Sequence, residues 1–520
     1  MDTKTKYLNP ILPGFYPDPS ICRVGEDYYL ITSSFEYFPG VPIFHSKDLV
    51  NWEQIGHCLT REPQIPLTNV EPSGGVWAPT IRYHDGIFYM ITTNVTGKGN
   101  FFVTTSDPRG EWSDPIWLAG GGIDPSLTFV DNKVYYTVSH PDENGHWGIA
   151  QAEIDIITGE FLTEVVHIWY GSGGKSPEAP HLYKIGDWYY LMIAEGGTFF
   201  THMVTISRSK SPWGPFESCP RNPILTNIHS RDYNIHGIGH GDLVQDHVGG
   251  WWMIHHGFQI AQKYMTHIGR ETFLSPVTWD EFGWPVVNEG KAVIRESEAH
   301  LLPAMPLVPE VETDDFDNDT LGLHWNYLRN PDLANYDLTA IPGHLTLWGS
   351  PYEISDLESP TLICRRQRYY ECEVATVLDF QPKNDNEEAG LAIFITNEFY
   401  YKLVKKKENG KDVLVLEKRA DDFFQVATQV EVENRPIFLK VWADRLHYHF
   451  SYGYHEDELI PLGSASTRFL ACEVVGRGFT GTYVGMYATG KGQKTETPAH
   501  FDYFMLKNTE NNENNENNGG

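Results

Sequence analysis

The chain has few basic residues, no long apolar run and no closely spaced cysteines. It contains 39 Lys and Arg against 69 Asp and Glu, so its net charge is -30. That balance argues against nucleic acid or an anionic membrane as a partner, because both require a basic face. A run of 18 apolar residues is also absent, and with it the pattern of a membrane-spanning helix. The N-terminus, MDTKTKYLNP, lacks the apolar stretch of a secretory signal.

The cysteines are scattered without the CxxC spacing that is typical of metal sites. They are Cys22, Cys58, Cys219, Cys364, Cys372 and Cys472. In a chain without a predicted signal, we interpret them as free thiols in a reducing compartment. We therefore expect a cytoplasmic protein without a cysteine-based metal site.

Length and aromatic content are the two positive bulk signals. At 520 residues the chain is too long for one core, so two or three domains are expected. It contains 15 Trp and 28 Tyr. Such an excess is typical both of proteins that stack on sugars and of large all-β cores, and composition favours neither.

A hairpin pattern recurs five times in the first 290 residues. In each copy a strand runs into Gly, Asp or Asn, and the next strand opens with paired aromatic residues. These pairs begin at Tyr28, Phe88, Tyr135, Tyr189 and Trp251. Most copies are followed by a second, more polar hairpin, which gives about four strands per repeat. Four-stranded repeats at this period predict a five-bladed β-propeller, since a sandwich has no reason to repeat one hairpin.

The first strand of a propeller blade lies against the central axis, and its entrance faces a shared pocket. The residues 10 or 11 positions before the aromatic pairs are Asp18, Ala78 (beside Trp77), Asp124, Ala179 (after Glu178) and His240. Converging carboxylates suggest either a cation site or acid–base hydrolysis of a glycosidic bond. Hydrolysis needs one protonated and one ionised carboxyl group, ~6.5–9.5 Å apart for inversion. A third acid can raise the pKa of the proton donor.

The motifs YPDPS, GIDPS and SPEAPHLYK, in this order, closely resemble glycoside hydrolase family 43. The opening NPILPGFYPDPSICRVGEDYYLITSS is especially similar to the β-xylosidases of that family. The resemblance implies that Asp18 is the general base and Glu178 the general acid. It implies that Asp124 tunes the pKa of Glu178 and orients it. It further implies inversion at the anomeric carbon and no required cofactor.

The resemblance also implies substrate contacts. Arg270, in HIGRETFLSPV, is similar to an arginine that hydrogen-bonds the non-reducing xylose. Phe35 and Trp77 would form an apolar wall beside the sugar, and Thr198 would lie near the leaving group. His240 resembles a histidine on the propeller axis that faces a calcium ion in several relatives, so the resemblance permits calcium without requiring it. His255 and His256 are interpreted as strand residues without a role.

A Pro-rich linker, 301–312, is predicted to separate a catalytic propeller, 1–300, from a second domain, 313–507. The second domain alternates apolar and polar residues without helical periods, which predicts a β-sandwich. The resemblance implies that a loop carrying Phe479 closes part of the active site, which favours action on chain ends. The Asn-rich tail, 508–520, is predicted to be disordered.

The leading hypothesis is an exo-acting β-1,4-xylosidase that releases D-xylose from the non-reducing end of xylo-oligosaccharides. The alternative is an α-L-arabinofuranosidase, alone or as a second activity, because both sugars are terminal pentoses. A sugar-binding propeller without activity should lack one of the three acids, and all three are present. A retaining, fructan-cleaving propeller usually opens with a WMNDPNG-like motif, which is absent here. The sequence does not reveal the oligomeric state; similar enzymes are often dimers or tetramers, so the resemblance permits a homo-oligomer without requiring one.

Overall fold

A computed structural model describes residues 4–230, 234–476 and 478–510 of the chain. The chain forms two compact units: unit 1 is Met1–Ile260 with Arg270–Val308, and unit 2 is Ala261–Gly269 with Pro309–Gly520. The helical elements of the described residues are short 3-10 turns, at Asn288–Gly290, Leu333–Asn335 and Thr467–Leu470. None of them is long and apolar enough to cross a membrane. All six cysteines lie within the described residues and are buried, and none forms a disulfide, as predicted.

Unit 1 contains five antiparallel sheets of four strands each, which confirms the predicted five-bladed propeller. Blade one is Ser20–Val24, Asp27–Ile31, Gly40–Ser46 and Glu53–Leu59; the short strand Tyr37–Phe38 lies between the second and third of these in sequence but is not part of their sheet. Blade two is Val76–His84, Ile87–Asn94, Gly99–Thr105 and Ile116–Trp117. Blade three is Ile123–Val130, Lys133–Pro141, Trp147–Glu153 and Val166–Trp169. Blade four is Glu178–Ile185, Trp188–Glu195, Met203–Ser209 and Glu217–Ser218, and blade five is Ile235–Gln245, Trp251–Gln259, Glu271–Trp279 and Pro285–Val287.

The first strands of neighbouring blades contact one another in a ring that closes from blade five back to blade one, and we call them the inner strands. Both faces of a blade are covered by its neighbours, so the strands are apolar over most of their length. Tyr28 and Phe88, which open two of the repeated hairpins, are both buried, as this packing requires. The N-terminal strand Thr5–Leu8 pairs with Glu296–Ala299 and ties the two ends of the propeller sequence together.

Asp242, on the inner strand of blade five, links four blades through its carboxylate. It is fully buried and accepts hydrogen bonds from Ser20 Oγ at 2.7 Å, Arg82 Nη1 at 2.9 Å and Tyr183 Oη at 2.6 Å. Burial by itself would raise the pKa of Asp242, but the Arg82 guanidinium outweighs it and holds the pKa well below its usual range. The partners lie on blades one, two and four, so this ionised group fixes the inner strands relative to one another.

Unit 2 is a β-sandwich, as predicted. One sheet contains nine strands: Thr313–Asp314, Tyr336–Asp337, Leu345–Trp348, Cys372–Phe380, Ile437–Ala443, His447–Gly453, Ile460–Ser466, Pro498–Phe501 and Phe504–Asn508. The facing sheet includes Asn326–Leu328, Thr361–Arg366, Glu388–Phe394, Phe399–Glu408, Lys411–Ala420, Phe423–Glu431 and Tyr483–Thr489. Apolar side chains from both sheets, among them Leu391, Leu403, Leu439 and Met486, form one buried core.

The units depart from the expected domain boundaries at two places. Residues 261–269 lie between two strands of blade five in sequence yet belong to unit 2, where Cys472 N donates to Thr266 O at 2.8 Å and Thr482 N to His267 O at 2.8 Å. In the expected tail 508–520, Asn508 ends a strand, and Thr509 N donates to Glu371 O at 3.0 Å. Residues 511–520 lie outside the described residues.

Candidate active site

The five positions aligned by the repeat share one unusual backbone conformation. The φ angle is 53° at Asp18, 33° at Ala78, 55° at Asp124, 52° at Ala179 and 49° at His240. For residues other than glycine this left-handed region costs on the order of 1–3 kcal/mol, and such residues cluster at functional sites. Trp77 and Glu178 each precede one of these positions directly. The entrance of every inner strand is therefore built in the same way.

A left-handed residue interrupts the strand ladder, and side chains replace the lost partners. The register of the inner strands shifts between Ile123 and Ser126 in blade three and between Glu178 and His181 in blade four. The N–H groups at the shared positions are bound as follows: Asp18 N donates to His256 Nδ1 at 3.1 Å, Ala78 N to Ser33 Oγ at 2.7 Å, and Ala179 N to Asp124 Oδ2 at 3.1 Å. Three of the five entrances are thus anchored by a side chain from a neighbouring blade.

Asp18 is a buried carboxylate bound to one cation, Arg270. Arg270 donates from Nη1 to Oδ1 at 2.7 Å and from Nη2 to Oδ2 at 3.4 Å, and Ser33 Oγ donates to Oδ2 at 2.6 Å. Nδ1 of His240 lies 3.5 Å from Oδ1. Burial by itself would raise the pKa of Asp18, but the charge of Arg270 outweighs it and the pKa falls well below its usual range. Asp18 is therefore ionised at neutral pH, as a general base must be.

Glu178 and Asp124 are two further carboxyl groups, and their pKa values are raised whereas that of Asp18 is lowered. Burial, followed by the negative charges of Asp124 and Asp18, raises the pKa of Glu178 well above its ordinary value. Burial and the charge of Asp18 also raise the pKa of Asp124. Asp124 accepts the N–H of Ala179, and a hydrogen bond to a carboxylate favours its ionised form. We therefore assign the proton of the pair to Glu178, which gives the site one acid beside one base.

Two histidines that the sequence did not reveal lie between these carboxyl groups. His256 Nε2 is 3.1 Å from His202 Nδ1, and His202 Nε2 is 3.8 Å from Glu178 Oε1. Both rings are almost completely buried, and burial lowers the pKa of His202 to about 3 and that of His256 well below its usual range. Both are thus neutral.

A signal for some of these residues was present in the repeat. The second strand of each blade runs antiparallel to the inner strand, so its end lies beside the entrance. Aligning the ends of the second strands would have brought Ser33 and His256 to the pocket. His202 directly precedes the third strand of blade four, Met203–Ser209, and has no repeated counterpart.

The predicted substrate-contact residues of unit 1 form one contiguous group around Asp18. Thr198 accepts a hydrogen bond from Arg270 Nη1 at 3.1 Å. The Arg270 guanidinium carbon lies 5.6 Å from the centre of the Phe35 ring, and that ring is 6.2 Å from the Trp77 ring. Phe35 is 1% exposed, whereas Trp77 and Thr198 are half-buried. Their contacts with a sugar stay predictions.

Phe479, the predicted lid residue, belongs to unit 2 and is half-buried. Its neighbour Thr480 is fully buried, and Cys472 Sγ donates to the Thr480 carbonyl at 3.2 Å, so the backbone beside Phe479 is anchored within its own unit. The role of Phe479 in closing the pocket stays a prediction.

The donors around His240 do not match a calcium site. Asp18, His240 and His256 offer one ligand atom each, and these atoms lie within 4.8 Å of one another. Ca²⁺ takes six to eight oxygen ligands, whereas this group offers two imidazoles and one carboxylate. Both oxygens of that carboxylate already accept hydrogen bonds from the Arg270 cation. The mechanism below accordingly uses no metal.

Comparison with known proteins places this geometry in a defined group. A family model described as glycosyl hydrolases family 43 matches residues 7–285, and one described as the β-xylosidase C-terminal concanavalin A-like domain matches residues 313–507. The chain is 45% identical to the non-reducing end α-L-arabinofuranosidase BoGH43B of Bacteroides ovatus, over 96% of this chain and 94% of that protein. It is 39% identical to a xylosidase/arabinosidase of Butyrivibrio fibrisolvens, over 96% of this chain and 99% of that protein. The crystal structure of a xylan β-1,4-xylosidase from Bacillus halodurans superposes with a TM-score of 0.93 at 35% identity, over 96% of this chain and all of that one.

Proposed function

The chain belongs to glycosyl hydrolase family 43, and from this premise we propose that it removes single terminal pentose residues from the non-reducing ends of glycans. One observation carries the proposal: the inner strands bring together Asp18, whose pKa is lowered because Arg270 bound at 2.7 Å outweighs burial, and Glu178, whose pKa is raised by burial and by the charges of Asp124 and Asp18. When the environments of two carboxyl groups move their pKa values in opposite directions, the group with the lower pKa serves as the base and the other as the acid.

In the proposed reaction, Glu178 gives its proton to the glycosidic oxygen as the bond to the anomeric carbon breaks. Asp18 accepts a proton from the water that attacks that carbon from the opposite face, so the configuration inverts. The cycle ends with Asp18 protonated and Glu178 ionised, and proton exchange with water restores both groups. Asp124 holds the backbone after Glu178, and Arg270 keeps Asp18 ionised between turnovers.

Proton NMR during hydrolysis of a β-xyloside tests this assignment. Inversion makes α-xylose the first product, before mutarotation. The Asp18→Asn variant should lose activity by about 10²–10⁴-fold, the range of a general base, while its circular dichroism stays unchanged. A first product with the β configuration, or full activity without the carboxylate, would refute the roles given to these residues.

The sugar is either D-xylose or L-arabinofuranose, and the relatives support both. The Bacteroides ovatus relative is named an arabinofuranosidase, the Bacillus halodurans structure a xylosidase, and the Butyrivibrio fibrisolvens relative carries both activities in its name. We propose β-1,4-xylosidase activity on xylo-oligosaccharides and α-L-arabinofuranosidase activity in the same pocket. Values of kcat/KM for 4-nitrophenyl β-D-xylopyranoside and α-L-arabinofuranoside decide their order. If neither glycoside is cleaved, the proposal fails.

Action on chain ends requires a pocket closed on one side, and we propose that Phe479 contributes to the closure. Phe479→Ala should raise KM for short substrates more than it lowers kcat, because it removes an apolar contact that is present in ground state and transition state alike. An unchanged KM for xylobiose and for both nitrophenyl glycosides would remove Phe479 from the pocket.

A further inference from the structure

Glu195, which ends the second strand of blade four, is a buried carboxyl group without a part in the proposed reaction. It is 0% exposed, and among the described residues no lysine, arginine or histidine lies within ion-pair distance of it. Burial of a carboxylate without a counter-charge is costly unless hydrogen bonds replace the lost water. Its hydrogen-bond partners therefore explain why a carboxylate is present at this position.

Most of these hydrogen bonds come from one loop, residues 171–177, which leads directly into the proposed acid. Ser172 N lies 3.1 Å from Oε1 and 3.0 Å from Oε2, and Ser172 Oγ donates to Oε2 at 2.7 Å. Gly174 N donates to Oε1 at 2.7 Å. Thr205, on the third strand of the same blade, donates to Oε2 at 2.5 Å. Both carboxylate oxygens are thus occupied by donors, and the backbone donors all belong to this loop.

The loop backbone forms a concave nest around the Glu195 carboxylate. Gly171 and Gly173 have φ angles of 86° and 110°, which lie in the region that favours glycine. A Cβ atom on Gly171 would lie 2.6 Å from Glu195 Oε1, and one on Gly174 would lie 2.9 Å from Glu195 Cβ. Concave turns of converging backbone N–H groups are anion-binding sites. Here the bound anion is a side chain of the same blade.

We propose that Glu195 is a positioning residue for Glu178: it holds the loop before the acid in the conformation that aims the proton donor at the glycosidic oxygen. Gly174, the last residue that Glu195 binds, lies four positions before Glu178. On the other side, Asp124 holds the N–H of Ala179. The acid is therefore fixed from both directions along the chain. No proton passes to or from Glu195. The inference rests on the proposed glycosidase function.

Two further hydrogen bonds limit how far the loop can move without Glu195. Gly196 N donates to Lys175 O at 2.7 Å, and Ser139 Oγ donates to Pro177 O at 2.6 Å. Loss of Glu195 should therefore displace the acid slightly and leave the blade folded. A displacement of about 1 Å can cost up to about 10²-fold in rate. The expected defect is slower proton transfer to the leaving group, with substrate binding unchanged.

The test compares Glu195→Ala with Asp246→Ala. Asp246 is also buried and also accepts two loop N–H groups, from Val248 at 3.0 Å and from Gly250 at 2.7 Å. Its turn follows the end of the inner strand of blade five, away from the entrance, so it controls for the loss of a buried carboxylate that binds a loop. Aryl glycosides with phenols of graded acidity are the substrates, together with xylobiose. Wild-type activity on this series tests the glycosidase proposal separately.

We expect Glu195→Ala to reduce kcat at least about tenfold on xylobiose and less than about threefold on the dinitrophenyl glycoside, whose leaving group needs no proton. KM should stay within a factor of about two. Formate should restore part of the xylobiose activity of Glu195→Ala, because a planar carboxylate can accept both N–H groups of the emptied nest. Sodium chloride at the same concentration should restore less. The wild type and Asp246→Ala should show neither the leaving-group dependence nor the response to formate.

A loss of equal size for every leaving group would show that Glu195 only supports the fold and would overturn the inference. So would a response to formate no larger than the response to chloride, or a leaving-group dependence that Asp246→Ala reproduces. If Glu195→Ala does not fold, judged by circular dichroism, Glu195→Gln is compared with Asp246→Asn on the same substrates. In that comparison only a leaving-group-dependent loss confined to Glu195→Gln supports the inference, and its absence refutes it.

Discussion

Asp124 accepts the backbone N–H of Ala179 at 3.1 Å, and Ala179 directly follows Glu178 in the chain. One carboxylate therefore acts on the acid in two ways, through the backbone that carries Glu178 and through its negative charge. The two contributions separate by mutation, because an asparagine oxygen can accept the same N–H while carrying no charge.

Asp124→Asn should lower the pKa of Glu178, since a repelling charge is removed, and the alkaline limb of kcat/KM against pH should move to lower pH. Asp124→Ala removes the backbone anchor as well and should reduce kcat by at least another factor of about ten, because small displacements of catalytic groups are costly. Profiles of both variants on one nitrophenyl glycoside provide the measurement. Identical profiles would mean that the anchor contributes nothing.

Arg270 keeps Asp18 ionised, so its loss should appear on the acidic side of the pH profile. In Arg270→Met, burial of Asp18 is no longer offset, its pKa rises, and the acidic limb of kcat/KM moves to higher pH. Arg270→Lys should restore part of the shift but not the two-pronged geometry. Arg221→Met, which removes an exposed partner of Asp280, is the control and should match the wild type. An unmoved acidic limb in Arg270→Met would contradict this role.

Removal of metal ions should leave activity unchanged, because Arg270 occupies both oxygens of the carboxylate beside His240. Dialysis against EDTA followed by assay in metal-free buffer is the measurement. A loss of activity that added Ca²⁺ restores would show that the group around His240 does hold an ion.

Substitution of Asp242 should be among the most destabilising changes in unit 1. Asp242→Asn leaves Arg82, whose side chain is 17% exposed, without its buried counter-charge, and breaking such a pair costs about 3–5 kcal/mol in free energy of unfolding. Urea denaturation followed by tryptophan fluorescence measures the change. Lys6→Met, which removes the exposed pair with Glu296, should leave the midpoint where it is. Equal midpoints for Asp242→Asn and the wild type would show that the inner strands do not depend on this link.

The propeller and the positions of three carboxyl groups could be predicted because the same local sequence pattern occurs five times in the chain. Any single turn before Asp18 or Asp124 is ambiguous, but five aligned turns define a common axis. The five residues also have similar φ angles, because they occupy equivalent positions in the five repeats.

The histidine pair and the partition of the chain could not be predicted in the same way. His202 directly precedes the third strand of a single blade, and His256 was interpreted as a strand residue without a role. Residues 261–269 lie between the second and third strands of blade five in sequence, while Thr266 and His267 accept backbone hydrogen bonds from unit 2. Contacts between residues that are distant in sequence produce no repeating sequence pattern when they occur in one blade only.

The five left-handed entrances also bear on how such a pocket can change over evolutionary time. Aspartate, alanine and histidine all occupy this backbone state here, so the state is set by the start of the strand and not by the residue type. The residue at this position can therefore differ from blade to blade, although Asp124 also anchors the backbone of blade four. Ala78 and Ala179 hold the smallest residues of the set, and a new polar group could arise at either by one substitution. New reactivity can accordingly be acquired blade by blade without redesign of the fold.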